Sequence, residues 1–292
     1  MSGENPRRTV AVAPQVLEFA SDDPVAARAL EALYHAARAS AAPPTLRYAL
    51  RRADGGYVAT APGRAPFGPT RLGDAWAFLE WRATEDLLGG GAAAAEGGST
   101  AFLHAGGVAI GSKLALIVGD SGAGKSTLVA HLLLRGHRML GDDLVRFAPV
   151  DGRFSAVGRS LKLDDNSLRS MPFIAARCAE AAVGTLLAAG CHYVSPAAVR
   201  RDWEAAPAKP WAVVRLDARE RAGAAGVAPS SDGEAAIHVT QQVLGGGGRD
   251  GRGVPQHVAA RLLDALADAV AFRAVGGDPA AVAAALEREA GR

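Results

Sequence analysis

The sequence predicts an α/β fold: a P-loop nucleotide-binding core with a central sheet and flanking helices, preceded by a small α+β portion. Three observations carry this reading. "LALIVG", an apolar run of strand length, leads straight into "DSGAGKSTL", and helical spacing follows in "KSTLVAHLLLRG". Gly119, Gly124, Lys125 and Ser126 satisfy G-x-x-x-x-G-K-[ST], a loop whose backbone N–H groups cradle phosphates at a helix N-terminus. Short strand-like and helical segments then alternate along the chain, as they do in sheets covered by helices.

Composition narrows the function classes. Hydrophobic residues make up 49% of the 292, much of it alanine, and aromatics only 5%. A helix-rich core of small residues, packed by Leu and Val, is expected. Lys+Arg number 32 against 30 Asp+Glu, for a net charge of +2, and the arginines are dispersed. That balance argues against nucleic acid or a membrane as the main partner. Cys178 and Cys191 have no second pair for a metal site and read as reduced thiols. The first residues lack an apolar signal region, and no apolar run approaches about 18 residues. A soluble, cytoplasmic chain is expected.

Residues 1–98 form the first portion. "RRTVAVAPQVLEFA" suggests a short strand, and "DPVAARALEALYHAARAS" an amphipathic helix opened by Asp22, Asp23 and Pro24. "TLRYALRRADGGYVATAP" alternates and turns at Asp54-Gly55-Gly56, the mark of a hairpin. "LGDAWAFLEWRATEDLL" returns to helical spacing with Trp76, Leu79, Leu87 and Leu88 as apolar contacts, and Trp76 and Trp81 read as core or seam residues. "GGGAAAAEGGST", from Gly89, is the linker candidate.

Residues 99–292 form the second portion. "TAFLHAGGVAIGSKLALIVG" reads as strand, turn at Gly111-Ser112-Lys113, and strand. The helix after the loop stops at Gly136. "HRMLGDDLVRFAPVDGRFSAVG" carries a strand ending at Gly141-Asp142-Asp143 and a hairpin turning at Asp151-Gly152. Further on, "PWAVVRLDA" is a buried-strand candidate, and 232–254 reads as glycine-rich and mobile. "QHVAARLLDALADAVAFRAVG" and "DPAAVAAALEREAG" read as helices, the second opened by Asp278 and Pro279.

The site candidates follow from phosphate chemistry. Gly119, Asp120, Ser121, Gly122, Ala123, Gly124, Lys125, Ser126 and Thr127 form the nucleotide cradle. Lys125 would reach the β- and γ-phosphates, and Ser126 would ligate Mg²⁺. Mg²⁺ also needs an acid from a neighbouring strand. Asp217, ending "WAVVRLD", competes with Asp142 and Asp143, and reads more simply as a surface carboxylate at a strand end. Two adjacent carboxylates at an anion site are costly unless one binds metal and the other handles a proton, which favours the pair. His104, alone, would more often be a structural histidine.

Taken together, His104, Gly119 through Thr127, Arg135-Gly136-His137 and Asp142-Asp143 resemble the HPr kinase/phosphorylase superfamily of bacterial P-loop serine kinases. The resemblance covers roughly residues 100 to 165. It implies ATP and Mg²⁺ as cofactors, a serine hydroxyl of a peptide or small protein as acceptor, and His104 at the active site. It also implies that one aspartate of the pair is the base and the other helps hold metal, Asp143 being taken with Ser126 as the metal set. His137 is expected to be structural, bridging helix end and strand. Arg159 and Lys162 look like exposed cations, either phosphate-neutralising or simply solvated. The bifunctional enzymes carry glutamate where this chain has Thr127, and "GRSLKLDDNSLRS" replaces their "LEIRGLG"-type segment. The chain looks closer to the homologues that phosphorylate ribosomally made precursor peptides, such as lasso peptides. A homo-oligomer is left open, as are a nucleotide-binding regulatory module and a small-molecule kinase.

Overall fold

The computed structural model describes residues 7–12, 15–34, 37–93, 100–180, 185–188, 190–217, 225–244 and 255–292. Strands β1 (Arg7–Val12) and β2 (Gln15–Ser21) pair antiparallel with Val12 opposite Gln15, so the single strand expected over this run is two. The signal was Pro14, which cannot donate to a ladder. Helix α1 (Pro24–Glu31) starts where Asp23 Oδ1 accepts from the N–H groups of Val25 and Ala26 at 2.9 and 2.8 Å. It ends well short of Ser40. Ala32 and Leu33 donate to carbonyls three residues back, a tightened last turn, and β3 (Arg38–Ala39) then joins β1. β4 (Leu46–Ala53) and β5 (Gly56–Thr60) form the expected hairpin, β6 (Phe67–Thr70) extends it, and α2 (Leu72–Ala93) follows. The expected linker is therefore helical as far as Ala93, and 94–99 lie outside the described residues.

The run expected as one strand over 101–110 is also two, β7 (Ala101–Leu103) and β8 (Gly106–Ile110), which belong to different sheets. After them come β9 (Lys113–Gly119), α3 (Lys125–Leu134), β10 (Arg138–Gly141), β11 (Val145–Ala148) and β12 (Arg153–Ser155). β13 (Leu161–Leu163), α4 (Asp165–Ser170), α5 (Pro172–Glu180), β14 (Thr185–Ala188), β15 (Cys191–Val194) and α6 (Pro196–Val199) lead to β16 (Pro210–Leu216) and β17 (Gly226–Pro229). The segment expected to be glycine-rich and mobile contains α7 (Asp232–Gln241), capped by Ser231 Oγ on the Glu234 N–H, and β18 (Val243–Leu244); 245–254 lie outside the described residues. The helix expected over 256–276 is α8 (Gln256–Leu266) followed by β19 (Val270–Val275), and α9 (Pro279–Ala290) closes the chain. Alanine-rich stretches such as "DAVAFRAV" fit both periods, so tertiary pairing with β16 decides the strand.

The chain divides into two compact units. One combines Met1–Gly90 with Gly158–Ala198, the other Gly91–Val157 with Val199–Arg292. In the first, a sheet of order β3-β1-β2-β4-β5-β6 and a smaller one, β13-β15-β14, enclose an aromatic core. Phe19 stacks between Tyr34 and Tyr48, and Trp76, fully buried, meets Tyr193 edge-on at 4.2 Å. The aromatics share this core with small residues and leucines of the helices, Ala26, Ala29 and Leu30 on α1 and Ala75, Leu79, Ala83 and Leu87 on α2, all buried. Arg159 is not the exposed cation expected of it: its side chain is nearly buried and ion-paired with Glu80. Lys162 Nζ lies 5.7 Å from the Tyr193 ring centre.

The second unit is built on a sheet of order β10-β8-β9-β16-β19-β17. β9, β16 and β19 run parallel, with antiparallel strands on both flanks. β9 is buried from Leu114 to Gly119, as a strand covered on both faces must be. Leu114, Leu116 and Val118 share one core with α7, α8 and the sheet β12-β11-β7-β18, while α3 packs against β8, β9, β10 and α9. No helix among the described residues is long and apolar enough to cross a membrane.

The His137 side chain, expected to bridge helix end and strand, contacts α9 instead. Glu287 Oε1 lies 2.7 Å from His137 Nε2 and 2.8 Å from Arg135 Nε, and Arg135 Nη2 donates to the other oxygen. The Arg135 hydrogen bonds, with His137 and the two positive charges adding to them, hold the Glu287 carboxyl at about 2, below its usual 4.5. A depressed carboxyl pKa contributes stability above about pH 4.5 and loses it as pH falls through about 2. Arg135 keeps 41% of its side chain exposed, so Glu287→Gln should cost only about 0.5–1 kcal/mol at neutral pH, less than about 2–5 for truncating the buried Leu132 to Ala. Denaturation across pH should show the gap between Glu287→Gln and the parent closing below pH 4.5; a gap that persists at pH 2 refutes this origin.

Candidate active site

The turn from β9 to α3 is shaped by glycine. A Cβ on Gly119 would lie 2.5 Å from the Leu216 carbonyl oxygen on β16, so only a bare backbone passes there. Gly124, the residue before α3, has φ +101° and, as a glycine, no side chain of its own to cap the helix. Asp120, Ser121 and Gly122 form the exposed rim, Ala123 and Gly124 are half-buried, and Ser126 and Thr127 sit half-buried in the first turn of α3. Lys125 is 6% exposed, and its Nζ donates to the carbonyls of Gly119 at 2.8 Å and Asp120 at 3.2 Å. Burial pushes the Lys125 ammonium below the usual lysine range, opposed by the charges of Asp143, Asp120 and Asp142. One buried cation thus lies within electrostatic reach of three carboxylates.

Asp142 and Asp143 occupy the bend between β10 and β11. A Cβ at Gly141 would lie 2.4 Å from the Leu144 carbonyl oxygen, so this tight return requires the missing side chain. Asp142 is 2% exposed and Asp143 half-buried. His104 stands where the chain leaves β7 for β8. Its N–H donates to Gln242 O at 2.8 Å, and Ala105 N–H to Leu103 O at 2.9 Å, a sharp turn that aims the histidine at the bend. His104 Nδ1 is 3.0 Å from Asp143 Oδ1. The structure therefore brings together His104, Lys125, Asp142 and Asp143, contributed by three separate chain segments.

Asp217 lies at the end of β16, with Arg215 Nη2 3.2 Å from its Oδ2. Sequence reasoning missed a cavity beside it, of about 440 Å³, lined by Arg215, Pro229, Ser230, Ser231, Glu234 and Arg273. Arg215 and Arg273 are cross-strand neighbours on β16 and β19. The available signal was a charge inside an otherwise apolar strand, "AVVRL". Cys191 is a free thiol, and the Cys178 side chain lies outside what is described.

This geometry defines a mixed α/β protein with a glycine-shaped turn and a buried lysine at the C-terminal end of the parallel strand β9, where such sheets place ligands, and an acid pair just past β10. No family model matches the chain. Two relatives, the HPr kinase/phosphorylases of two strains of Treponema pallidum, are each 50% identical to it over 46 residues. That segment is 16% of this chain and spans only 14% of each relative's length. The similarity supports the HPr kinase/phosphorylase superfamily at most, and hints at kinase-like function without an acceptor.

Because the Gly141 clash is with backbone, Gly141→Ala should destabilise by about 1–3 kcal/mol in urea unfolding, with exposed Ser121→Ala within about 0.5. A neutral Gly141→Ala would mean that the bend yields freely and is not held by this approach.

Proposed function

We propose that the protein is an ATP-dependent kinase that transfers the γ-phosphoryl group to a serine hydroxyl of a peptide or small protein, with a ribosomally made precursor peptide as the candidate acceptor. One observation carries this reading: a buried lysine at a glycine-rich helix entry shares its electrostatic surroundings with an acid pair, one member of which touches a histidine. The short similarity to HPr kinase/phosphorylase lends support.

The residues suit the groups this reading requires. The start of α3, where Gly124 has no side chain to cap the helix, and the Lys125 ammonium, held by the carbonyls of Gly119 and Asp120, suit a triphosphate. Among the described residues no three His, Cys, Asp or Glu side chains converge on a metal. Mg²⁺ is commonly held by one or two carboxylates plus phosphate oxygens, which Ser126 and Asp143 would complete. Bound there, Mg²⁺ would neutralise charge on the phosphate oxygens. The serine oxygen attacks the γ-phosphorus, the bond to the β,γ-bridging oxygen breaks, and the hydroxyl proton passes to a carboxylate of the Asp142-Asp143 pair. Transfer of this kind depends mainly on positioning and charge, so few groups suffice. His104 orients the Asp143 carboxylate through its Nδ1 contact.

A second reading, transfer to a small anionic metabolite, draws on the cavity between Arg215 and Arg273. Mass spectrometry of candidate peptides and metabolites, read for addition of one phosphoryl group, separates the two. Saturating ATP·Mg²⁺ should stabilise the protein, by about 2.7 kcal/mol at a hundredfold excess over Kd, and Lys125→Ala should abolish the effect. No shift for the unaltered protein ends the nucleotide reading. Of Asp142→Asn and Asp143→Asn, one should slow transfer by about 100-fold or more with nucleotide affinity nearly intact, and the other should also weaken Mg²⁺-dependent binding. Two variants that both transfer at the parent rate would sink the mechanism.

A further inference from the structure

The six-stranded sheet of the first unit has two unlike faces. Register puts directly opposed residues on one face, and alternation along each strand assigns the rest. Val10, Leu17, Phe19, Tyr48, Leu50 and Ala59 line the buried face. The other face is crossed by three rows: Arg38-Ala11-Val16, Thr9-Glu18-Arg47 and Arg7-Ala20-Ala49-Thr60. A fourth pair, Arg51-Val58, lies beyond them. Arg7, Arg38, Arg47 and Arg51 are all exposed.

Among the described residues this face therefore carries four arginines against one carboxylate. Glu18 sits 3.3 Å from Arg47, whose side chain stays 70% exposed. Asp22, just past β2, accepts from the Arg52 backbone N–H. Among the described residues Arg7, Arg38 and Arg51 pair with no carboxylate. The residues between the arginines are small, Ala11, Ala20 and Ala49, so an extended chain can lie close to the sheet. By strand spacing of about 4.8 Å and a rise of about 3.4 Å per residue, Arg7, Arg47 and Arg51 stand roughly 12–14 Å apart. Carboxylates about four residues apart on an extended segment match that interval.

We infer that this open face docks an extended acidic segment of a partner protein. Among the described residues no aromatic side chain of β1 to β5 stands on it, so the stacking platform by which sheets hold single-stranded nucleic acid is not seen there. Charge complementarity of this exposed kind supplies attraction that salt screens.

The test is fluorescence anisotropy with the full chain and a labelled peptide repeating Glu-Ser-Ser-Ser, against a Gln-Ser-Ser-Ser control. The glutamate peptide should bind at low salt and the control should not. Combined Arg7→Ser, Arg47→Ser and Arg51→Ser should weaken binding at least about tenfold. Combined Arg28→Ser, Arg64→Ser and Arg71→Ser, equal in charge and outside this face, should leave it unchanged. Melting curves check both combinations, and the smaller Arg7→Ser/Arg51→Ser pair serves if the triple change unfolds. Absence of binding, or equal loss in both sets, overturns the proposal. So does tighter, arginine-dependent binding of single-stranded oligothymidylate, which would make the face a nucleic-acid surface.

Discussion

Where β9 hands over to α3, the backbone of Gly119 must pass Leu216 of β16 at a distance no Cβ allows. The parallel pairing of β9 with β16 runs up to that contact, with Gly119 opposite Leu216. The turn that follows is free to reverse into α3 because Gly124 takes a left-handed conformation. Lys125 is then delivered to the buried side of the turn, where its ammonium donates to the carbonyls of Gly119 and Asp120. Remove that passage and the strand, the helix and the lysine lose their common register.

The acid pair depends on a second backbone approach of the same kind, at Gly141. Packing does the rest. α3 is buried on most sides, from Leu128 through Leu133, so it needs cover from α9 as well as from the sheet. The Arg135–Glu287–His137 cluster decorates this contact and does not hold it: exposed ion pairs contribute about 1 kcal/mol or less, a fully buried leucine about 1.5–3. Charge matters more inside the turn, where Lys125 and its three carboxylates are partly withdrawn from water and each shapes the proton affinity of the other.

The two units use opposite means to build a sheet. The second covers its central strands on both faces and reads in sequence as unbroken apolar runs, "LALIVG" and "WAVVRL". The first leaves a face open, and its strands alternate, "TLRYALRR", so that arginines fall on the solvent side. Its core relies on a few aromatic rings, which count for little in overall composition yet fill more volume than alanine can.

The local elements were written in local signals. Asp23-Pro24 and Asp278-Pro279 mark helix starts because side-chain caps act within three residues, and Asp54-Gly55 and Asp151-Gly152 mark hairpins for a similar reason. The loop at Gly119–Ser126 was legible as a spacing of residue types, and Gly124 serves a local backbone conformation, whereas the approach of Gly119 to Leu216 is a tertiary contact. Only the tertiary structure decided that the run at 101–110 breaks at His104 to serve two sheets, that the segment at 270–275 is a strand beside β16, and that Gly158–Ala198 packs with the first ninety residues. These depend on pairing partners a hundred or so residues apart in some cases and fifty in others, about which an alanine-rich local pattern is silent. The same holds for Arg159, which looks solvated in its own neighbourhood and is taken up by Glu80 from across the fold.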